Sequence, residues 1–186
     1  MRLAIADPPY LGRAGVYAPG GRSWPSDPMR GSRKVTTPTG DGHPDALVWD
    51  DPATHEALVN TLSDYDGWAI AMYPDNLRHY LAWVPPTTRV CAWVQPDAMP
   101  VGRVIRSWEP VLVYCHRPRV PGQVIRDTLT ASSPKADPNR LPGAKPKAWT
   151  RWVLDMLGYD PDTDTVDDLF GGSGAVTAEI NQGVLL

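Results

Sequence analysis

Phenylalanine occurs once in this chain, cysteine twice and histidine four times. The two cysteines, Cys91 and Cys115, lie apart inside apolar, strand-like runs. That excludes a disulfide-stapled scaffold and leaves buried free thiols as the expectation. Scattered histidines and two lone cysteines give no metal-ligand spacing, so no metal is expected. No apolar run approaches about 18 residues and no basic-then-apolar leader opens the sequence, so neither membrane insertion nor export is expected. A net charge of −3 excludes coating of nucleic acid by bulk attraction and leaves room only for a local basic surface. The G-x-x-x-x-G-K-[ST] pattern is absent, which argues against a phosphate-gripping P-loop. No internal repeat is visible.

What the chain has instead is proline, 21 in 186 residues, with eight tryptophans and seven tyrosines. Proline at that density means much irregular chain. Tryptophan and tyrosine are the side chains that stack on rings, although a place in the core is expected for most of them. The length suits one domain over 1–186 with a core of its own.

Strands and helices alternate along the sequence. Residues 2–6 (RLAIA) form a short buried strand. Residues 11–50 are rich in Gly, Pro, Ser and Asp without a period, so they are expected to be loop. Asp51 then serves as an N-cap with Pro52 at the first helical position. Strands follow at 67–73, 88–94 and 109–116, with a helix at 76–84 that Pro85 and Pro86 end. Residues 117–143 hold turn residues throughout and read as a second irregular stretch. A helix over 146–158 runs from Pro146 to Gly158, a start and stop pair. The last strand covers 164–170, and a glycine turn opens a final helix. This order predicts an α/β fold with a largely parallel sheet.

Ligands in such sheets bind beyond the carboxyl ends of strands. Two strand ends stand out. In Asp7-Pro8-Pro9-Tyr10 the prolines fix the backbone, remove two N–H donors and leave carbonyls free. An aspartate beside a prolyl carbonyl makes an acceptor pair suited to a planar –NH2 group, and Tyr10 adds a flat face. In Asp168-Leu169-Phe170-Gly171-Gly172-Ser173-Gly174, glycines between strand and helix let backbone approach a ligand closely.

Together, D-P-P-Y and D-x-F-x-G-[ST]-G resemble the S-adenosylmethionine-dependent amino-methyltransferases. The catalytic motif leads and the cofactor loop closes, which resembles the circularly permuted, β-group DNA methyltransferases. Lys145-Pro146, opening a helix just before the cofactor strand, looks like that group's third cofactor element. "RVCAWV" and "WEPVLVYCHRP" look like the small phage-type DNA methylases. The resemblance implies a truncated Rossmann-like methyltransferase sheet, circularly permuted, with its first and last strands side by side and both motifs at one site. The expected location is the cytoplasm, which for a phage-encoded chain would be that of the host.

It also implies roles. Asp7 and the Pro8 carbonyl would accept the two hydrogens of the target amine, Pro9 would stiffen the turn, and Tyr10 would stack on a base flipped out of duplex DNA. Gly172, Ser173 and Gly174 would line the methionine part of S-adenosylmethionine, with Asp168 at the strand end and Phe170 beside it. Lys145 would sit near the cofactor's carboxylate. Other residues have plainer expectations: Trp149 and Trp152 as core, Glu109 as structural, His55 as a surface residue, Asp168 as a turn cap if not a ligand. Between Arg117 and Arg151 the sequence has eight basic residues (Arg117, Arg119, Arg126, Lys135, Arg140, Lys145, Lys147, Arg151) against Asp127 and Asp137. That excess is a candidate phosphate-facing surface, and the 11–48 loop adds Arg13, Arg22, Arg30, Arg33 and Lys34.

The match weakens over 11–48 and after Gly174. The family's acidic residue for the cofactor ribose has no counterpart, because Glu179 falls too early, inside the last helix. No large target-recognition region is visible, so specificity would come from loops, a second subunit in a homodimer or another protein. The leading Asp favours adenine N6 as the target. Cytosine N4, RNA, a protein amide, or a non-catalytic scaffold that binds DNA or a partner are the alternatives.

Overall fold

A computed structural model describes residues 1–18, 45–98, 103–118, 122, 124–134, 144–171 and 174–183. Its strands are β1 (Arg2–Ala6), β2 (Gly67–Ala71), β3 (Arg89–Val94), β4 (Trp108–Cys115), β5 (Thr128–Thr130) and β6 (Thr165–Asp168). Its helices are α1 (Pro52–Leu62), α2 (Leu77–Trp83), α3 (Lys147–Leu157) and α4 (Ala175–Gly183). The strands form one six-stranded sheet in the order β5-β3-β4-β2-β1-β6. Five strands run in one direction, and β4 runs against both of its neighbours. The fold is α/β with a mostly parallel sheet, and no described helix is long and apolar enough to cross a membrane.

Local chemistry sets the element ends. The Asp51 side chain accepts the Ala53 N–H at 3.0 Å and Pro52 follows in the first turn, starting α1 as the sequence predicts. α3 stops at Gly158, whose left-handed φ of 64° lets the N–H groups of Gly158 and Tyr159 reach back to Asp155 and Leu154. Along α3, Trp149, Val153 and Leu157 recur every four residues and are fully buried. At roughly 1.5–3 kcal/mol for each such side chain, this stripe is a main attachment of helix to sheet.

The sheet has a core on each face. Leu3, Ile5, Ala69, Ala71, Val111 and Val113 meet α3 and α4, while Ala4, Ala6, Trp68, Ile70 and Leu112 meet α1 and α2. Successive strand residues point to opposite faces, so β2, covered on both, is buried throughout. Trp149 and Trp152 are core residues, as the sequence suggests.

Two irregular stretches contain regular pieces that their composition concealed. Short 3-10 turns at Ala14–Tyr17 and Ala46–Asp50 bracket undescribed residues of the 11–50 segment. Within 117–143, β5 pairs in parallel with β3 over Ala92 to Val94. Three residues are too few to display an alternation, so this strand had no sequence signal.

At the amino end of the parallel strands, Asp164 ties the sheet together. Its carboxylate takes hydrogen bonds from the Met1 ammonium at 2.6 Å, from Arg117 at 2.6 and 2.7 Å, and from the Asp160 N–H at 2.9 Å. Burial pushes this carboxyl up, but those donors outweigh it and hold the pKa down at about 2.

Candidate active site

Strands β1 and β6 are parallel neighbours, with Ile5 opposite Asp168, and the Leu169 N–H donates to the Ile5 carbonyl at 3.0 Å. The chain therefore leaves both strands side by side at the carboxyl end of the sheet. From β1 it enters Asp7-Pro8-Pro9-Tyr10. From β6 it enters the Asp168–Gly174 turn. The expected juxtaposition of first and last strands is present.

The turn after β1 is held from three directions. Arg13 N–H donates to the Tyr10 carbonyl at 2.8 Å, and the Asn76 amide donates to the Leu11 carbonyl at 3.2 Å. The Ala14 N–H donates to Asp50 at 3.0 Å. Pro8 is buried, and its carbonyl receives no hydrogen bond from the described residues.

Around Asp7 lies a buried cluster of charges. The Lys145 ammonium, 5% exposed, donates to Asp7 Oδ1 at 2.8 Å and to the Tyr10 hydroxyl at 2.9 Å, with Glu109 3.6 Å away. Tyr10 donates in turn to Glu109 Oε2 at 2.7 Å, and Gln95 holds Oε1 at 3.0 Å. Tyr10 Oη also lies 3.3 Å from Asp7 Oδ1. Rings of Tyr10, Trp93 and Trp149 surround the ammonium, with centroids 5.2–5.8 Å away. Burial raises the Asp7 pKa, and Lys145 opposes it without cancelling it. Burial pulls Lys145 down, yet Asp7 and Glu109 outweigh it and leave the ammonium above its ordinary value. Burial and then the two carboxylates raise Tyr10 well above the usual phenol range, and Tyr17 shifts the same way. The outcome is a carboxylate anchored through Oδ1, while Oδ2 takes no hydrogen bond from the described residues.

The turn after β6 is organised by Asp168. Its Oδ1 accepts the Phe170 N–H at 3.3 Å and its Oδ2 accepts the Thr177 hydroxyl at 3.1 Å. Gly174, at φ 66°, donates to Gly171 and leads into α4. A Cβ on Gly174 would meet nothing within 4 Å, so the backbone there borders open space. Phe170 packs edge-on against Trp49, with centroids 4.9 Å apart. Gly172 and Ser173 lie outside the described residues.

The structure brings Asp7, Pro8, Pro9, Tyr10, Lys145 and Pro146 into one neighbourhood, with Asp168, Phe170 and Gly174 on the adjoining strand end. Lys145 is found on Asp7, whereas a place near the cofactor carboxylate was the expectation. Asp167, beside Asp168, is engaged by Arg2 and Tyr65, which separates the two carboxylates. Glu179 pairs with Arg151 and Lys147 and so joins α4 to α3.

Three expectations change. Glu109, read as structural, belongs to the site because antiparallel β4 begins where its parallel neighbours end. His55, read as a surface residue, is fully buried. Its Nε2–H faces the Trp49 carbonyl at 2.7 Å and its Nδ1 the Tyr80 hydroxyl at 2.6 Å, an arrangement that suits a neutral ring, and burial lowers its pKa. Among the described residues of the basic run over 117–151, several are engaged by carboxylates or buried. Arg117 sits on Asp164 at the opposite end of the sheet, Lys145 is buried, and Lys147 and Arg151 share Glu179. Arg119, Lys135 and Arg140 lie outside the described residues, as do Arg22, Arg30, Arg33 and Lys34. Sequence reasoning also passed over Tyr73, two residues after β2, whose ring lies under the guanidinium groups of Arg13 and Arg106. No protein-family model matches the chain, and no curated protein matches it.

Proposed function

We propose that the protein transfers a methyl group from S-adenosylmethionine to an exocyclic amine of DNA, with adenine N6 as the leading target. In this reading 1–186 form one methyltransferase domain whose Rossmann-like sheet is circularly permuted, and the target base is flipped from the duplex. The observation that carries the reading is the parallel pairing of β1 with β6, which sets the Asp7 turn beside the glycine turn.

The residues present suit the cofactor. Gly174 borders open space beside exposed backbone, and Asp168 shapes the turn around it. Residues 168–174 would hold the cofactor's methionine part, and when bound it would supply an activated methyl group without a metal.

The chain's own contribution falls on the amine. An exocyclic amine is a poor nucleophile because its lone pair is delocalised into the ring. Asp7 Oδ2 accepts one of its hydrogens and the Pro8 carbonyl the other, which favours a pyramidal nitrogen and stabilises charge appearing in the transition state. Lys145 and Tyr10 fix Oδ1, so the free oxygen is aimed before substrate arrives. Lys145 also opposes the rise that burial imposes on the Asp7 carboxyl, which favours the acceptor form. Glu109 and Gln95 hold Lys145 and Tyr10 in turn. Placement of the two reactants supplies much of the remaining rate. Extruding the base costs a few kcal/mol.

Calorimetry with S-adenosylmethionine, followed by base analysis of duplex DNA treated with protein and cofactor, tests this. Binding and N6-methyladenine are expected. Absence of cofactor binding by the folded protein would refute methyl transfer, and methyl label in RNA or protein alone would move the target.

A further inference from the structure

The Asp7 turn and the glycine turn are also joined through a third segment, the 3-10 turn Ala46–Asp50 that leads into α1. Its last two residues engage different turns. Asp50 Oδ1 accepts the Ala14 N–H at 3.0 Å, in the chain that follows Asp7-Pro8-Pro9-Tyr10. The Trp49 ring stands edge-on to Phe170 of the glycine turn, with centroids 4.9 Å apart and planes at 77°. The segment is itself anchored in the core. Nε2 of the buried His55, on α1, meets the Trp49 carbonyl at 2.7 Å, and the two rings pack edge-on with centroids 5.3 Å apart. His55 Nδ1 meets the Tyr80 hydroxyl of α2 at 2.6 Å. One short piece of chain thus holds the turn after β1 and the turn after β6 while resting on two helices.

We propose that Trp49 and Asp50 are positioning residues that hold the Asp7 turn and the glycine turn in fixed relation. The inference rests on the methyl-transfer reading above and names what sets the placement of the two reactants there. The β1–β6 ladder fixes the strand ends, and Ala46–Asp50 ties the chain beyond them. In-line transfer between a bound cofactor and an amine tolerates little error, since about 1 Å of misplacement can cost about a hundredfold in rate. Both ties are of a kind that holds position. A carboxylate bonded to a backbone N–H is charge-assisted, and an edge-on aromatic pair adds a preferred geometry to its apolar area. Trp49 and Asp50 act through the turns they hold, by way of Phe170 and Ala14. Such a link is reciprocal: loosening one turn is felt at the other.

The test is amide hydrogen exchange, read at Ala14 on one side and at Leu169 and Phe170 on the other, in wild-type protein, Trp49→Ala, Asp50→Ala, Trp49→Phe and Asp50→Asn. Cross effects decide it. Trp49→Ala is expected to speed exchange at Ala14, and Asp50→Ala at Leu169 and Phe170, each about fivefold. Trp49→Phe keeps an edge-on ring and Asp50→Asn keeps an acceptor oxygen, so both should restore most of the protection. Amides of β2 serve as the reference and should not change. In wild-type protein the two sets of amides should open together, with one urea dependence, a measurement that needs no variant to fold. Separate opening in the wild type overturns the proposal, as do alanine variants whose effect stays on their own side or spreads evenly to β2. Calorimetry with S-adenosylmethionine separates this inference from methyl transfer. Asp50→Ala, whose contact is with the Asp7 side, is expected to weaken the cofactor about fivefold, and Asp50→Asn to recover it. Cofactor affinity unchanged in Asp50→Ala, without cross effects in exchange, ends the positioning role and leaves methyl transfer standing. Cross effects in a wild-type protein that binds no cofactor end methyl transfer and leave the two turns joined.

Discussion

Each end of the sheet buries a carboxylate against basic groups, and the two are treated in opposite ways. Asp164, at the amino end, has both oxygens occupied by an ammonium, a guanidinium and a backbone N–H. Asp7, at the carboxyl end, has one oxygen bonded and one open. Burial raises both carboxyls. At Asp164 the donors reverse the shift to about 2, and at Asp7 the single lysine does not. A carboxylate saturated by its own protein contributes stability. One left partly unsatisfied is ready for a visitor, and the folded state bears the electrostatic cost of keeping it so.

The comparison breaks most sharply at Asp7. In the proposed methyl transfer, Asp7→Ala is expected to lower the rate by about 10³ or more, equivalent to about 4 kcal/mol of barrier, while the protein stays folded. Circular dichroism alongside the rate assay checks both halves; a normal rate would remove Asp7 from the chemistry.

Asp164→Asn should do the reverse. It removes a buried ion pair and is expected to cost about 3 kcal/mol in urea denaturation, with little change in rate per folded molecule. Asp164 has a lowered folded-state pKa, so its stabilisation is complete above the unfolded value and disappears as pH falls. Wild-type protein should therefore lose about 2 kcal/mol between about pH 4 and pH 2, and the variant much less. Parallel acid-unfolding curves for the two proteins would contradict this.

Finer changes act on the Asp7 cluster. Lys145→Met withdraws the opposing positive charge, so the Asp7 carboxyl rises further and the acid limb of the rate profile moves to higher pH. Lys145→Arg should leave the limb nearer its original place. Glu109→Gln removes a negative charge that raises Asp7. The limb should then move to lower pH, with a few-fold loss in rate from a looser Tyr10. Limbs that move the same way in Lys145→Met and Glu109→Gln would dissolve the electrostatic account.

How much of this was legible in the sequence depended on the range of the signal. The Asp51-Pro52 start of α1 and the Gly158 stop of α3 follow from local rules, and both stand where those rules put them. The meeting of Asp7 with the glycine turn followed from strand alternation plus a family resemblance. Strand direction was harder. Glu109 looked structural because nothing in W-E-P announces that β4 runs backwards, and that reversal alone moves the residue into the site. Lys145 shows the same limit: its helix-start position was readable, but its partner lies 138 residues away. Within the basic run over 117–151, counting charges along the chain could not show that Arg117, Lys145, Lys147 and Arg151 fold against carboxylates. Arg106 and Tyr73 carried no motif and became visible only as neighbours.

The rings around Lys145 give the site an internal optical reporter. Two indoles, Trp93 and Trp149, lie 5.7 and 5.8 Å from a buried positive charge, and the emission energy of an indole responds to the electric field across it. Any event that draws the ammonium away from Asp7 or neutralises its partner should therefore change the protein's native fluorescence, with no label attached.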